Sequence, residues 1–156
     1  VKAGVDIAEL SRFVAAAGAR DRAAVVAYTV EDALAAASAD PHVSISVEIT
    51  DAERLSALVG GGLGKDRLMA WTGVSPEPRA ELWAFLQAEG IPVAFGSLWY
   101  MDAAVFESGD PSIYAELAAA GVDVLSSDLH QLAAETIAAH SDPVSAVRAC
   151  TAGLGG

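Results

Sequence analysis

The chain has 156 residues, 53 % hydrophobic and 19 % charged, a composition that supports a packed domain and excludes a disordered chain. Nine lysines and arginines stand against 21 aspartates and glutamates, for a formal charge of −12. That balance excludes a free-standing nucleic-acid binder and a partner of anionic membrane surfaces, both of which need basic clusters.

Cys150 is the single cysteine, so no internal disulfide and no CxxC redox or zinc pattern is expected. No apolar run approaches the roughly 18 residues of a transmembrane helix. No basic, apolar and cleavable leader pattern is legible either. The sequence opens on Val1 rather than Met, so an upstream portion is expected.

Residues 6–17 predict a helix, with Asp6 as cap, Glu9 at the third position and an apolar face of Ile7, Leu10, Phe13, Val14 and Ala17. Gly18 ends it. A strand is expected over 23–29, then a helix capped by Thr29 and running to about Ser38. The β-branched, alternating segment 43–49 predicts a second strand, and Thr50 with Glu53 a capping box for a helix over 51–59. A third strand spans about 67–72. Ser75 and Pro76 open a helix that reaches Glu89. The fourth strand spans about 91–97. A long connection, "LWYMDAAVFESGD", leads to Asp110-Pro111 and a helix over 111–120. "VDVLSS" is the fifth strand. Asp128 with Gln131 opens a helix over 129–139, Asp142-Pro143 a last short one, and "GLGG" frays.

Each strand is followed by a helix, which is the grammar of parallel β/α units in an α/β fold. No domain boundary interrupts residues 1–156. The strands are mostly apolar, as expected where helices cover a sheet. "VGGGLG", residues 59–64, joins a helix to a strand, so it cannot set a phosphate on a helix N-terminus as a dinucleotide fingerprint does. Lys65 lacks P-loop context.

Polar or aromatic residues recur just past the strands: Tyr28 and Thr29, Glu48 and Thr50, Trp71 and Thr72, Ser97 with Trp99 and Tyr100, then Ser126, Ser127 and Asp128. In a parallel sheet these ends share one edge, where the sites of β/α folds lie. Thr29, Thr50 and Asp128 read equally as helix caps, but caps do not require Trp or Tyr. Alternation puts Ser44, Ser46 and Glu48 on one strand face and Ile45, Val47 and Ile49 on the other; either face could turn inward. Trp83, mid-helix with Leu82, Phe85 and Leu86, reads as core. His42, His130 and His140 read as surface residues. Arg12, Arg20, Arg22, Arg54, Lys65, Arg67, Arg79 and Arg148 fall mostly in helices or helix-to-strand turns, away from the expected active edge.

The ordered stretches "VVAYTVEDAL", "VSISVEITDAERL", "DRLMAWTG", "GIPVAFGSL" and "GVDVLSSDLHQLAAETI" resemble the C-terminal part of the glycerophosphodiester phosphodiesterase family, over about residues 5–138. The resemblance implies an incomplete TIM-type (β/α)8 barrel, with the five units here as strands four to eight. It implies a parent that cleaves glycerophosphodiesters to an alcohol and glycerol 3-phosphate with Ca²⁺ or Mg²⁺, outside the cytoplasm or in the cell envelope. The family's catalytic set, including a His-Arg-Gly motif, sits mainly on the first three strands, so this chain is expected to hold no catalytic residue and no metal site and to be inactive alone. Glu48 is the one carboxylate placed to face the pocket. Trp99, Tyr28 and Trp71 are the candidates for packing against a glycerol moiety, with ordinary packing as the competing account. Two other readings stand beside this one. The first is a non-catalytic β/α structural or binding module that self-associates through exposed strand edges. The second is another β/α-barrel enzyme with a phosphate site near its last strands.

Overall fold

A computed structural model describes residues 6–20 and 22–141. The expected helix at Asp142-Pro143, Cys150, Arg148 and "GLGG" lie outside these. The elements alternate as α1 (Ile7–Ala16), β1 (Ala24–Ala27), α2 (Val30–Ala39), β2 (Ser44–Glu48), α3 (Ala52–Gly60), β3 (Leu68–Val74), α4 (Ala80–Ala88), β4 (Val93–Gly96), α5 (Met101–Ser108), α6 (Ser112–Ala119), β5 (Val124–Ser126) and α7 (His130–His140).

Local chemistry accounts for most of the boundaries. The Asp6 carboxylate accepts the Ala8 and Glu9 N–H groups at 2.9 and 3.0 Å, and Thr29 accepts that of Asp32 at 3.0 Å, which satisfies donors that a helix start leaves orphaned. Four expectations are corrected. Asp51, not Thr50, caps α3: its carboxylate accepts the Arg54 N–H at 2.8 Å, while the Thr50 hydroxyl donates to it. α4 begins at Ala80 rather than at Ser75, because Pro78 biases Glu77 away from the helical region and lacks a donor. The long connection after β4 contains a helix of its own, α5. On α1 the inward stripe is Ile7, Leu10, Ser11 and Val14, so Phe13 is 70 % exposed and Ala17 also faces out. Ser11 tolerates burial because its hydroxyl donates to the Ile7 carbonyl at 2.9 Å.

The five strands form one sheet in the order β1-β2-β3-β4-β5, every pair parallel. A doubly wound sheet reverses its strand order at a switch point; this one never does. With right-handed crossovers throughout, a monotonic order places all the helices on one face. The other face is left concave, as an arc of a (β/α) barrel that does not close.

The helix-facing side is the core. Ile45, Val47 and Ile49 are fully buried there with Val25, Val93 and Phe95 from the neighbouring strands, under Leu55 and Leu58 of α3 and Trp83 and Leu86 of α4. Trp83 meets Phe95 edge-on, with ring centroids 5.1 Å apart, and its indole N–H donates to the Thr72 hydroxyl at 3.1 Å. Thr72 in turn donates to the Ala94 carbonyl at 3.0 Å, so a buried polar pair ties β3, β4 and α4 together with no orphaned atom.

Candidate functional site at the mouth of the half barrel

Alternation along β2 leaves Ser46 and Glu48 on the concave side once Ile45 and Val47 are committed to the helices. A cavity of about 560 Å³ opens there, lined by Val26 and Tyr28 of the first unit, Ser46 and Glu48, Met69 and Trp71 of β3, Ala94 of β4, and Val124 and Ser126 of β5. Three of the four residues singled out in the sequence, Tyr28, Glu48 and Trp71, therefore meet around one space.

Trp71 is held by an absence of side chain. Its indole lies across Gly96 of β4: a Cβ on Gly96 would stand 3.1 Å from Trp71 Cη2 and 2.7 Å from Val74 Cγ2. The ladder shifts register here, since Trp71 pairs with Ala94 but Val74 with Gly96. This irregularity turns Val74 in beside Trp71.

Trp99 does not line that cavity. It sits at the tip of the loop after β4, 71 % exposed, with φ at +67°. The Tyr100 N–H donates to the Leu98 carbonyl at 2.8 Å, closing a three-residue turn around it. Packing under the loop, the competing account of Trp99, is thus not its placement; a bulky residue with positive φ is instead held outward at the C-terminal edge of the sheet. Tyr28 is likewise 64 % exposed at the end of β1.

The small polar cluster after β5 serves Asp102, which the sequence shows in the long connection after β4, with no histidine or basic phosphate clamp nearby. Asp102, on α5, is only 4 % exposed. Its carboxylate accepts hydrogen bonds from the Ser97 hydroxyl at 2.6 Å, the Tyr114 hydroxyl at 2.9 Å, the Ser127 hydroxyl at 3.0 Å and the Asp128 backbone N–H at 2.6 Å. Burial pushes the Asp102 pKa up, but these donors together outweigh it and hold the carboxyl below its usual range. Burial raises the Tyr114 phenol. Asp128 does not cap α7; its N–H is consumed by Asp102, its side chain is exposed, and Ser127 accepts the Leu129 N–H at 3.0 Å. The signal available in the sequence was an aspartate inside the otherwise apolar helix face of Met101 and Val105.

The placement of the cations also needs correction. Arg20 pairs with Asp40 at 2.7 Å and Arg67 donates to the Asp40 and Val43 carbonyls, on the far side from the mouth. Arg54 and Arg79, however, reach the C-terminal edge. Arg54 Nε donates to the Glu48 carbonyl at 2.6 Å and its Nη2 to that of Tyr28 at 3.5 Å. The Arg79 guanidinium lies against Gly73, its nitrogens 3.9 Å from where a Cβ would stand. The sequence position of a long side chain on a first helical turn does not reveal that it folds back over the strand ends. His42, His130 and His140 are exposed, as expected.

Among the described residues no group of three or more His, Cys, Asp or Glu side chains could hold a metal ion. Glu48 alone does not fit a divalent cation, which takes several oxygen ligands. Also among the described residues, no helix is long and apolar enough to cross a membrane.

Five parallel strands in chain order, helices outside and a lined cavity inside define a partial, non-closed (β/α) barrel. The chain resembles in fold the crystal structure of a glycerophosphoryl diester phosphodiesterase from Parabacteroides distasonis, with a TM-score of 0.76 and 16 % identity, over 91 % of this chain and 50 % of that one. This chain thus spans about half the length of that solved chain. At this identity the likeness is one of fold. No family model and no curated protein matches the sequence.

Proposed function

We propose that the chain is the C-terminal β/α portion of a phosphodiester hydrolase whose whole protein cleaves glycerophosphodiesters to an alcohol and glycerol 3-phosphate. The observation that carries this reading is the cavity at the concave face, where an exposed carboxylate, Glu48, stands with the aromatic wall of Trp71 and Tyr28. Flat aromatic surface with a polar edge suits the carbon skeleton of a glycerol. The half-barrel likeness to a phosphodiesterase supports the same class.

In this reading the strands here build one wall, and the acid–base groups and any ligands for a divalent ion come from β/α units that complete the barrel. Hydrolysis adds water across a P–O bond, which needs proton transfer that the exposed, scattered histidines of this chain do not provide. A second reading, a non-catalytic module that associates through its strand edges, is favoured by β5, which among the described residues pairs with β4 on one side alone.

The test is glycerol 3-phosphate release from a glycerophosphodiester, by this chain alone and by the chain joined to three upstream β/α units. Activity only in the joined protein, lowered by Glu48→Gln, supports the hydrolase. An inactive joined protein that is folded would sink it in favour of the module.

A further inference from the structure

We propose that Arg54 is the anion-binding group of this mouth and that it takes a phosphoryl oxygen of the ligand, an inference that rests on the hydrolase reading and assigns it a residue. The side chain starts on the first turn of α3 and returns over the sheet. Nε donates to the carbonyl of Glu48 at 2.6 Å and Nη2 to that of Tyr28 at 3.5 Å, so one guanidinium bridges the C-terminal ends of β1 and β2. Both residues whose carbonyls hold it line the cavity.

A guanidinium carries five N–H donors in a rigid fork. The two carbonyls occupy two of them, and no other acceptor is within hydrogen-bond reach among the described residues. Three donors remain, on a group already fixed in orientation, and that is the geometry in which arginine grips a tetrahedral oxyanion. The nearby Asp51 carboxylate is engaged as the α3 cap by the Arg54 N–H and the Thr50 hydroxyl.

Arg79 strengthens the assignment. It is half-buried against Gly73 at the end of β3 and has no hydrogen-bond acceptor among the described residues. Arg54 over β1 and β2 and Arg79 over β3 therefore flank the strands that carry Glu48 and Trp71. Neither guanidinium lines the cavity itself, so a phosphoryl group held by Arg54 would sit at its rim, beside Tyr28 and Glu48. The exposed Glu48 carboxylate opposes any anion and weakens the affinity for a simple phosphate.

The test titrates the full chain with inorganic phosphate, and separately with glycerol 3-phosphate, at constant ionic strength against chloride, and follows ¹H–¹⁵N resonances. Saturable shifts of the Arg54 Nε–H and of the Tyr28 and Glu48 amides are expected. Arg54→Gln weakens binding about tenfold or more, Arg54→Lys less, since it keeps the charge and loses the fork. Arg12→Gln, on the exposed face of α1, changes nothing. Undisturbed resonances of the Trp83–Phe95 core establish that each variant is folded. Phosphate affinity unchanged in folded Arg54→Gln overturns the proposal, as does a wild-type chain whose Arg54 resonance does not respond up to tens of millimolar. Hydrolysis by the joined protein with Arg54-independent phosphate binding would overturn this inference and leave the hydrolase reading intact; Arg54-dependent binding without hydrolysis would do the reverse.

Discussion

The Asp102 carboxylate, on α5, accepts the backbone N–H of Asp128, at the start of the turn into α7, over 2.6 Å. This single bond joins segments 26 residues apart in the chain. Ser127 supplies a second bond to the same carboxylate, while Ser97 and Tyr114 bring the end of β4 and α6 to it. A buried, fully bonded carboxylate rather than a helix cap organises that corner.

Removing Asp102 should therefore be costly. Asp102→Ala leaves three hydroxyls and one backbone N–H without their acceptor, and a loss of about 3–5 kcal/mol is expected. Asp102→Asn keeps one acceptor and loses about 1–3 kcal/mol. The folded-state pKa of Asp102 lies below its unfolded value. Its stabilisation is then present above the ordinary carboxylate pKa of about 3.9 and lost as pH falls through the lower folded value. Urea unfolding between pH 7 and pH 3 should show a shallower acid loss in Asp102→Asn than in the wild type.

Gly96→Ala tests how Trp71 is seated. The added Cβ would meet Val74 Cγ2 at 2.7 Å and Trp71 Cη2 at 3.1 Å, both from the same inward-turned corner. Overpacking of this kind costs about 1–3 kcal/mol. The Trp71 indole N–H resonance should move while that of Trp83, which is bonded to Thr72, stays in place.

Trp99 occupies the left-handed region at φ +67° with most of its surface in solvent. Such a conformation costs a non-glycine residue about 1–2 kcal/mol. Glycine recovers this and gives back part of it as unfolded-chain entropy. Trp99→Gly is expected to raise the unfolding free energy by up to about 1 kcal/mol, read by urea denaturation. In the joined protein it should raise KM for a glycerophosphodiester, the result expected if this exposed indole on the loop after β4 contributes to the site. A stabilised variant with unchanged KM would remove Trp99 from the site.

The terminal strand β5 pairs with β4 on one side, and among the described residues no further strand covers its other edge. Val124 on this strand is 44 % exposed on the concave face. Sedimentation of the isolated chain should show association that grows with concentration, and Val124→Lys should suppress it, as charge on an edge strand blocks strand addition.

The chain's own pattern determined the alternation of five strands with helices, the parallel class and the strand whose one face carries Ser46 and Glu48, because hydrophobic period, capping chemistry and turn residues act over a few positions. Even there, Pro78 moved the start of α4, and the stripe through Ser11 turned Phe13 outward; both corrections are local physics read too coarsely. Which face of β2 is concave was not legible, since both faces of a barrel strand can be buried. Only the monotonic strand order, with every helix on one side, decided it and gathered Tyr28, Glu48 and Trp71 around one cavity. Tertiary structure alone brought Asp102 to Asp128 and folded Arg54 back onto the Glu48 and Tyr28 carbonyls. Those contacts join residues remote in sequence, or depend on where a long side chain bends, and neither a period nor a spacing encodes such a meeting.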